Sequence, residues 1–256
     1  MTALVTGAGG RLGAAMAVEL AERGHDVAVH YASSAAGAAD TVREVEALGR
    51  RGVALQADLL DLRACEDLVP RAAEALGGPL NVLVNNASIF EHDDVDTATH
   101  ESWDRHFGSN LRAPFLLTQA FAAQAPAPQD DPEPLARACI VNMLDQRVRK
   151  LTPEFMTYTL AKSALWTLTR TSAQALAPRI RVNAIAPGPT LRGHRQSADH
   201  FAAQRAATIL ERGADADDIR AALAYLLTAA SVTGQMICTD GGQHLAWKTP
   251  DIIGRE

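Results

Sequence analysis

Cysteine is scarce and scattered. Cys65, Cys139 and Cys238 lie far apart in apolar or helical surroundings. That distribution excludes a disulfide framework and a zinc-ligand spacing, and it predicts buried free thiols and no metal site. A basic surplus is also missing. The chain has 24 Lys and Arg against 30 Asp and Glu, a formal net charge of −6, so a nucleic-acid partner is not expected. No apolar run approaches the ~18–20 residues that cross a bilayer, so no membrane partner is expected either. The opening MTALVTG lacks a basic stretch leading into a cleavable apolar segment, which reads as a cytoplasmic protein. With 256 residues, 47% of them hydrophobic and 21% charged, the chain can build one large domain with a substantial core.

Short apolar runs alternate with helical patterns almost throughout. TALV (2–5), DVAVHY (26–31), GVALQA (52–57), LNVLVN (80–85), ACIVNM (138–143), IRVNAIA (180–186) and GQMICTD (234–240) read as strands. Helical patterns occupy 11–23, 36–49, 61–76, roughly 99–124, 154–177, and 201–229 with a break near Gly213. This alternation predicts an α/β fold: a single doubly wound (Rossmann) domain over 1–256, with a roughly seven-stranded parallel sheet flanked by helices. Neither an internal repeat nor an interdomain linker interrupts it. The proline- and acid-rich APAPQDDPEP (125–134) reads as a surface insertion without helical pattern. The polar loop after the sixth strand, with the start of the next helix (187–212), is expected to cover a site at the strand ends. A tail, 243–256, follows the last strand.

The segment from Thr2 to Tyr31 is strand, glycine-rich turn, amphipathic helix and strand. Gly7, Gly9 and Gly10 permit a tight turn with close backbone approach, and Gly13 lets the helix pack on the sheet. The exposed N–H groups of the helix start would meet a pyrophosphate. An ordinary strand–turn–helix junction has similar glycines. The second strand ends in His30 and Tyr31 followed by Ser33 and Ser34, with no carboxylate to hold a ribose 2′-hydroxyl or repel a 2′-phosphate. NADP(H) is therefore favoured over NAD(H).

The spacing Thr-Gly-x-x-x-Arg-x-Gly resembles that of the short-chain dehydrogenase/reductase family. The resemblance continues through NNAS (85–88), Asn110 in SNLRAPF, Tyr158-x-x-x-Lys162, RVNAIAPGPT (181–190) and TDGG (239–242), in the family's order. It implies cofactor contacts from Gly7, Arg11, Leu12 and Gly13 in the turn, and from His30, Tyr31, Ser33 and Ser34 after the second strand. Further along it implies Asp58 and Leu59, then Asn86, Ala87 and Ser88, then Tyr158 and Lys162, and finally Pro187, Gly188 and Thr190. A second reading of Asp58 is a cap for the helix that begins near Asp61. In the catalytic roles the resemblance implies, Tyr158 is the general acid, Lys162 lowers its pKa, and Asn110 shapes a proton path. An ammonium beside a phenol favours the phenolate, which is the physical basis of that pairing. Without the rest of the pattern, Tyr158 and Lys162 would read as a surface pair at i and i+4 on a helix.

Most family members carry a serine thirteen residues before the tyrosine; here that position is Asp145. A carboxylate beside an oxygen that is becoming an alkoxide raises the barrier. It suits a nitrogen heterocycle instead, accepting from ring N–H or amino groups, or in its acid form helping to protonate an imine. Asp145 therefore points to C=N reduction, with a structural loop aspartate or an inactive site as the other readings. Arg11 in GGRLG, Ser88 and Phe90 in NNASIF, NMLDQ and YTLAK resemble the pteridine reductase branch of the family. That resemblance implies a pterin stacked on Phe90, with polar contacts from Arg11, Ser88, Asp145 and Tyr158. Alone, Phe90 would read as a core aromatic and Arg11 as a solvated helix-start residue. The branch often has basic residues where this chain has Gly10 and Ser33.

Two other functions compete: a family carbonyl or 3-oxoacyl reductase with an unusual aspartate, and a dinucleotide sensor without catalysis. Sensors of that type commonly lose the tyrosine or lysine, which this chain keeps. The resemblance also implies a homotetramer built on paired long helices. The 154–177 segment has an apolar stripe of Leu160, Ala164, Leu168 and Ala175 to serve one, although part of that stripe must cover the sheet.

Overall fold

In the computed structural model of the chain, residues 1–130, 132–193 and 196–247 are described. Seven strands run parallel in the order β3-β2-β1-β4-β7-β8-β9. They are β1 (Thr2–Val5), β2 (Asp26–Tyr31), β3 (Gly52–Gln56), β4 (Val82–Asn85), β7 (Ala138–Met143), β8 (Ile180–Pro187) and β9 (Met236–Thr239). Successive side chains of a strand point to opposite faces, and both faces are dry here. Ala3 and Val5 pack with Met16 and Leu20 of α1 (Arg11–Glu22) and Leu223 of α8 (Ala216–Thr228). Leu4, between them, packs with Leu68 of α3 (Leu62–Leu76) and Phe121 of α5 (Ala113–Gln124). Two buried faces explain why the strands read as continuous apolar runs rather than as alternating ones. The order reverses beside β1, between β2 and β4, and that places a crevice at the carboxyl ends of β1 and β4.

Three elements differ from expectation, each for a local reason. The 99–124 helix is three pieces: α4 (His100–Phe107), a π-helical turn over Gly108–Arg112, and α5. A wider turn of this kind re-aims a side chain within a helix, and here it carries Asn110. The last helical segment is α7 (Ala198–Ala206) and α8, separated by a longer break than Gly213 alone would make. Ser197 starts α7 early by accepting from the His200 N–H at 3.1 Å. In the 125–134 insertion, β5 (Gln129–Asp130) pairs antiparallel with β6 (Pro134–Leu135), both exposed.

The α3 cap is Asp61, whose Oδ1 accepts from the N–H groups of Arg63 (2.9 Å) and Ala64 (3.4 Å). Asp58 accepts instead from the Leu60 N–H at 2.9 Å, so its reading as the helix cap is corrected. Cys65 and Cys139 are buried as expected, whereas Cys238 is only half-buried. Among the described residues, no helix is long and apolar enough to cross a membrane. Residues 248–256 of the tail lie outside the described residues.

Candidate active site

The glycine turn joins β1 to α1 at the crevice. A Cβ on Gly13 would lie 2.2 Å from the Gly7 carbonyl oxygen, so α1 can close on the turn only with glycine there. Gly10 has φ +148° and open space where a side chain would point. No side chain caps α1, and its first turn holds no acidic residue. The helix start therefore presents free N–H groups and its positive end to an open cradle, which fits the diphosphate of a dinucleotide. Asn86 ties β4 to this turn through Nδ2, donating to the carbonyls of Thr6 (2.8 Å) and Gly7 (3.1 Å). Arg11, at φ +53°, reaches across the crevice and donates from Nη2 to the Leu191 carbonyl at 3.2 Å. Ser34 Oγ donates to Gly9 O at 3.0 Å, while Tyr31 is partly covered and Ser33 exposed.

His30 does not face the cofactor crevice as the resemblance implies. It is 1% exposed and lies under the turn: Nδ1 accepts from the Gly7 N–H at 3.0 Å, and Nε2 donates to Ala57 O at 3.1 Å. Burial lowers its pKa, so the ring is neutral and braces the turn instead of facing a ligand. Leu12 packs against the core beneath the turn, and the Leu59 side chain is buried beside Cys65. Asp58 stands exposed after β3. Across the crevice, Gly188 N–H donates to Thr239 O at 3.1 Å and Thr190 Oγ1 to Gly188 O at 3.1 Å. These bonds fix the turn that Pro187 begins.

At the ends of β4 and β7 the structure brings Tyr158, Asp145, Lys162, Phe90 and Ser88 together. Tyr158 and Lys162 project from α6 (Met156–Leu176), one turn apart on the same face. Tyr158 Oη donates to Asp145 Oδ2 at 3.0 Å, while Asp145 Oδ1 accepts from the Arg147 N–H at 2.8 Å. Asp145 thus both caps the 3-10 turn Gln146–Val148 and meets the phenol. Burial raises its pKa, against the pull of Arg147, Tyr158 and Lys162.

Burial, and then the Asp145 carboxylate, push the Tyr158 pKa well above its ordinary value. Burial and Asp145 outweigh the lowering expected from Lys162. Lys162 Nζ donates to Met143 O at 2.6 Å and stands 5.7 Å from the Tyr158 ring centroid. Burial brings the lysine itself down to about 8. Tyr158 is therefore held protonated, the form needed to give a proton. Asn110 sits in the π-helical turn, where Nδ2 donates to Ile89 O at 2.9 Å and Oδ1 accepts from Ile89 N–H at 3.1 Å. Both its polar atoms hold the backbone between Ser88 and Phe90.

Phe90 is 50% exposed, which rules out the reading as a core aromatic. One face stacks on Phe155 at 4.3 Å with the planes 5° apart, and its ring meets Tyr158 edge-on at 4.7 Å. Arg147 lies over Phe155, 4.7 Å from the ring centroid. This is a stacked aromatic platform beside a proton donor and a carboxylate, with a dinucleotide cradle across the crevice. It can bind a flat ring and protonate it.

Residues 7–244 match the family described as Enoyl-(Acyl carrier protein) reductase. The chain is 34% identical to an uncharacterized oxidoreductase of Methylorubrum extorquens over 248 residues, 94% of this chain and 96% of the other. It is 30% identical to the 3-oxoacyl-[acyl-carrier-protein] reductase FabG of Staphylococcus epidermidis over 249 residues, 95% and 99% of the two chains. The crystal structure of FolM alternative dihydrofolate reductase 1 from Brucella suis, in complex with NADP, superposes with a TM-score of 0.91 at 43% identity. It covers 98% of each chain. The chain belongs to the short-chain dehydrogenase/reductase family. It is accordingly an oxidoreductase, and the FolM likeness fits the pteridine reductase-like branch of that family.

Several residues of this short-chain dehydrogenase/reductase site escaped the sequence reading. Phe155 stands three residues before Tyr158, a spacing that shares a helix face, but it precedes the helix in a left-handed conformation (φ +56°) that no periodicity reveals. Asp93 and His106 reach α6 from distant segments. Such contacts carry no local signal.

Proposed function

We propose that this protein is an NADPH-dependent reductase of C=N bonds in a pterin-like heterocycle, of the pteridine or dihydrofolate type. The observation that carries the reading is the Tyr158–Asp145 hydrogen bond beside the half-exposed face of Phe90. When bound, a reduced nicotinamide supplies the hydride. Everything else falls to this chain. Gly7 to Gly13 and Thr190 receive the dinucleotide, Ser33 and Ser34 leave room for a 2′-phosphate, and Lys162 holds positive charge near the nicotinamide ribose. Phe90, backed by Phe155, stacks on the heterocycle, and Arg11 and Ser88 contact its polar edge. Tyr158 gives the proton, and Asp145 accepts from ring N–H or amino groups while keeping the phenol protonated. A simple ketone offers nothing for that carboxylate to accept from. The FolM neighbour, crystallised with NADP, supports both the cofactor and the substrate class.

The FabG likeness favours a second reading, a 3-oxoacyl or other carbonyl reductase. Following NADPH consumption with dihydrobiopterin and dihydrofolate against an acetoacetyl thioester separates the two. The expected result is turnover of a dihydropterin at the higher kcat/KM; preference for the thioester would overturn the assignment. The protein is expected to work as a cytoplasmic homotetramer on a small molecule. Trp103, Phe115 and Leu160 are exposed on α4, α5 and α6, where such an assembly would cover them. Sedimentation as a monomer at micromolar concentration would contradict the tetramer.

A further inference from the structure

The helix that carries Tyr158 and Lys162 begins without a cap of its own. Phe155 precedes it in a left-handed conformation and offers no side-chain bond to the first amides. Those amides are orphan donors, and buried ones need partners. The partner comes from 64 residues earlier in the chain, in the segment that follows Phe90. The Met156 N–H donates to the Asp93 carbonyl at 3.2 Å, and the Thr157 N–H to Asp93 Oδ1 at 3.1 Å. Asp93 Oδ2 accepts from the Thr157 hydroxyl and, at 3.1 Å, from Ser102 Oγ of α4. This carboxylate is 2% exposed.

A fully buried histidine completes the arrangement. His106 Nε2 accepts from the Glu91 N–H at 3.1 Å, which places the ring proton on Nδ1. Nδ1 lies 2.6 Å from Thr157 Oγ1 and donates to it. The bonds therefore run in one direction, from the Glu91 amide through His106 and Thr157 to Asp93. Burial keeps the imidazole neutral. Its ring stands 6.0 Å, edge-on, from that of Tyr158.

We infer that Asp93, Thr157 and His106 are positioning residues for the reductase. They clamp the segment bearing Phe90 to the start of α6, and so fix the proton donor against the ring platform. None of the three touches the crevice groups through a polar atom. Their action is geometric: Tyr158 follows Thr157 directly, and Phe90 precedes Glu91. The inference rests on Tyr158 as the proton donor, not on the identity of the substrate.

Thr157→Val removes the hydroxyl at nearly constant shape, and Thr157→Ser restores it. Each is assayed on whichever of dihydrobiopterin or acetoacetyl thioester the unmodified protein reduces, so failure of the pterin reading leaves the test intact. Misplacing reacting groups by about an ångström costs up to ~100-fold in rate. Thr157→Val should lose ~10–100-fold in single-turnover NADPH oxidation with KM for NADPH unchanged, and Thr157→Ser should recover most of it. Asp93→Asn, which keeps the size but cannot accept both donors at Oδ2, should behave like Thr157→Val and decides the matter if the valine variant does not fold. A folded Thr157→Val with normal turnover, or with only a lower melting temperature, would overturn the inference. So would a loss that serine does not rescue.

Discussion

Replacing Asp145 by serine changes one function of that residue and spares another. Serine still caps the 3-10 turn, since its hydroxyl can accept from the Arg147 N–H as the carboxylate does now at 2.8 Å. What disappears is the negative charge 3.0 Å from Tyr158 Oη and the acceptor facing the heterocycle. On a dihydropterin, losing one positioned charged group should cost ~10²–10⁴ in rate, or about 3–5 kcal/mol of barrier. On a ketone the same change should cost far less or raise the rate. Asp145 is one cause of the elevated Tyr158 pKa, second to burial, so without it the phenol becomes the stronger acid. A neutral donor also suits a developing alkoxide. The assay is the fall in NADPH absorbance with each substrate, alongside NADPH affinity and melting temperature as controls for folding. Tyr158→Phe should abolish both reactions. Equal losses on both substrates in Asp145→Ser, with folding and NADPH binding intact, would refute the reasoning and make Asp145 a general scaffold residue.

Cofactor choice should yield to a single charge. Ser33→Asp or Ala32→Asp should shift preference towards NADH by repelling the 2′-phosphate, read as the ratio of the two dissociation constants; tighter NADH binding by the unmodified protein would reverse the assignment. Lys162, held near 8 by burial, carries a pH signature in the cofactor-free protein. Between about pH 8 and 10.5 the unfolded lysine binds a proton that the folded one does not, so its contribution to stability rises with pH across that window. Denaturation midpoints of the unmodified protein relative to Lys162→Met should increase from pH 7 to 10; a constant difference would contradict the shift.

The strands were legible because two buried faces force continuous apolar runs, as in Val27–Val29 and Ile140–Val141. The helix starts were legible where a side chain caps them, as Asp61 does for α3. The π-helical turn within the fourth helical segment was not, because it changes hydrogen bonding without changing residue type. In the site, Tyr158 and Lys162 could be placed together from their spacing along α6, and Asp145 from a family pattern. His30 was misplaced because a histidine at a strand end looks the same whether it faces a ligand or turns under the chain. Its bonds to Gly7 and Ala57 exist only once three strands are assembled. Asp93 and Thr157 were invisible for the same reason: the bond joins residues 64 apart.

The Asp145 carboxylate is expected to meet a nitrogen ring. A crystal structure of the protein with NADPH and a dihydropterin tests it most directly. The ring is expected between Phe90 and the nicotinamide, with an amino or ring N–H edge within hydrogen-bond distance of Asp145 and the reducible C=N nitrogen near Tyr158 Oη. A pterin bound with that edge turned to solvent and Asp145 still bonded only to Tyr158 and Arg147 would contradict it.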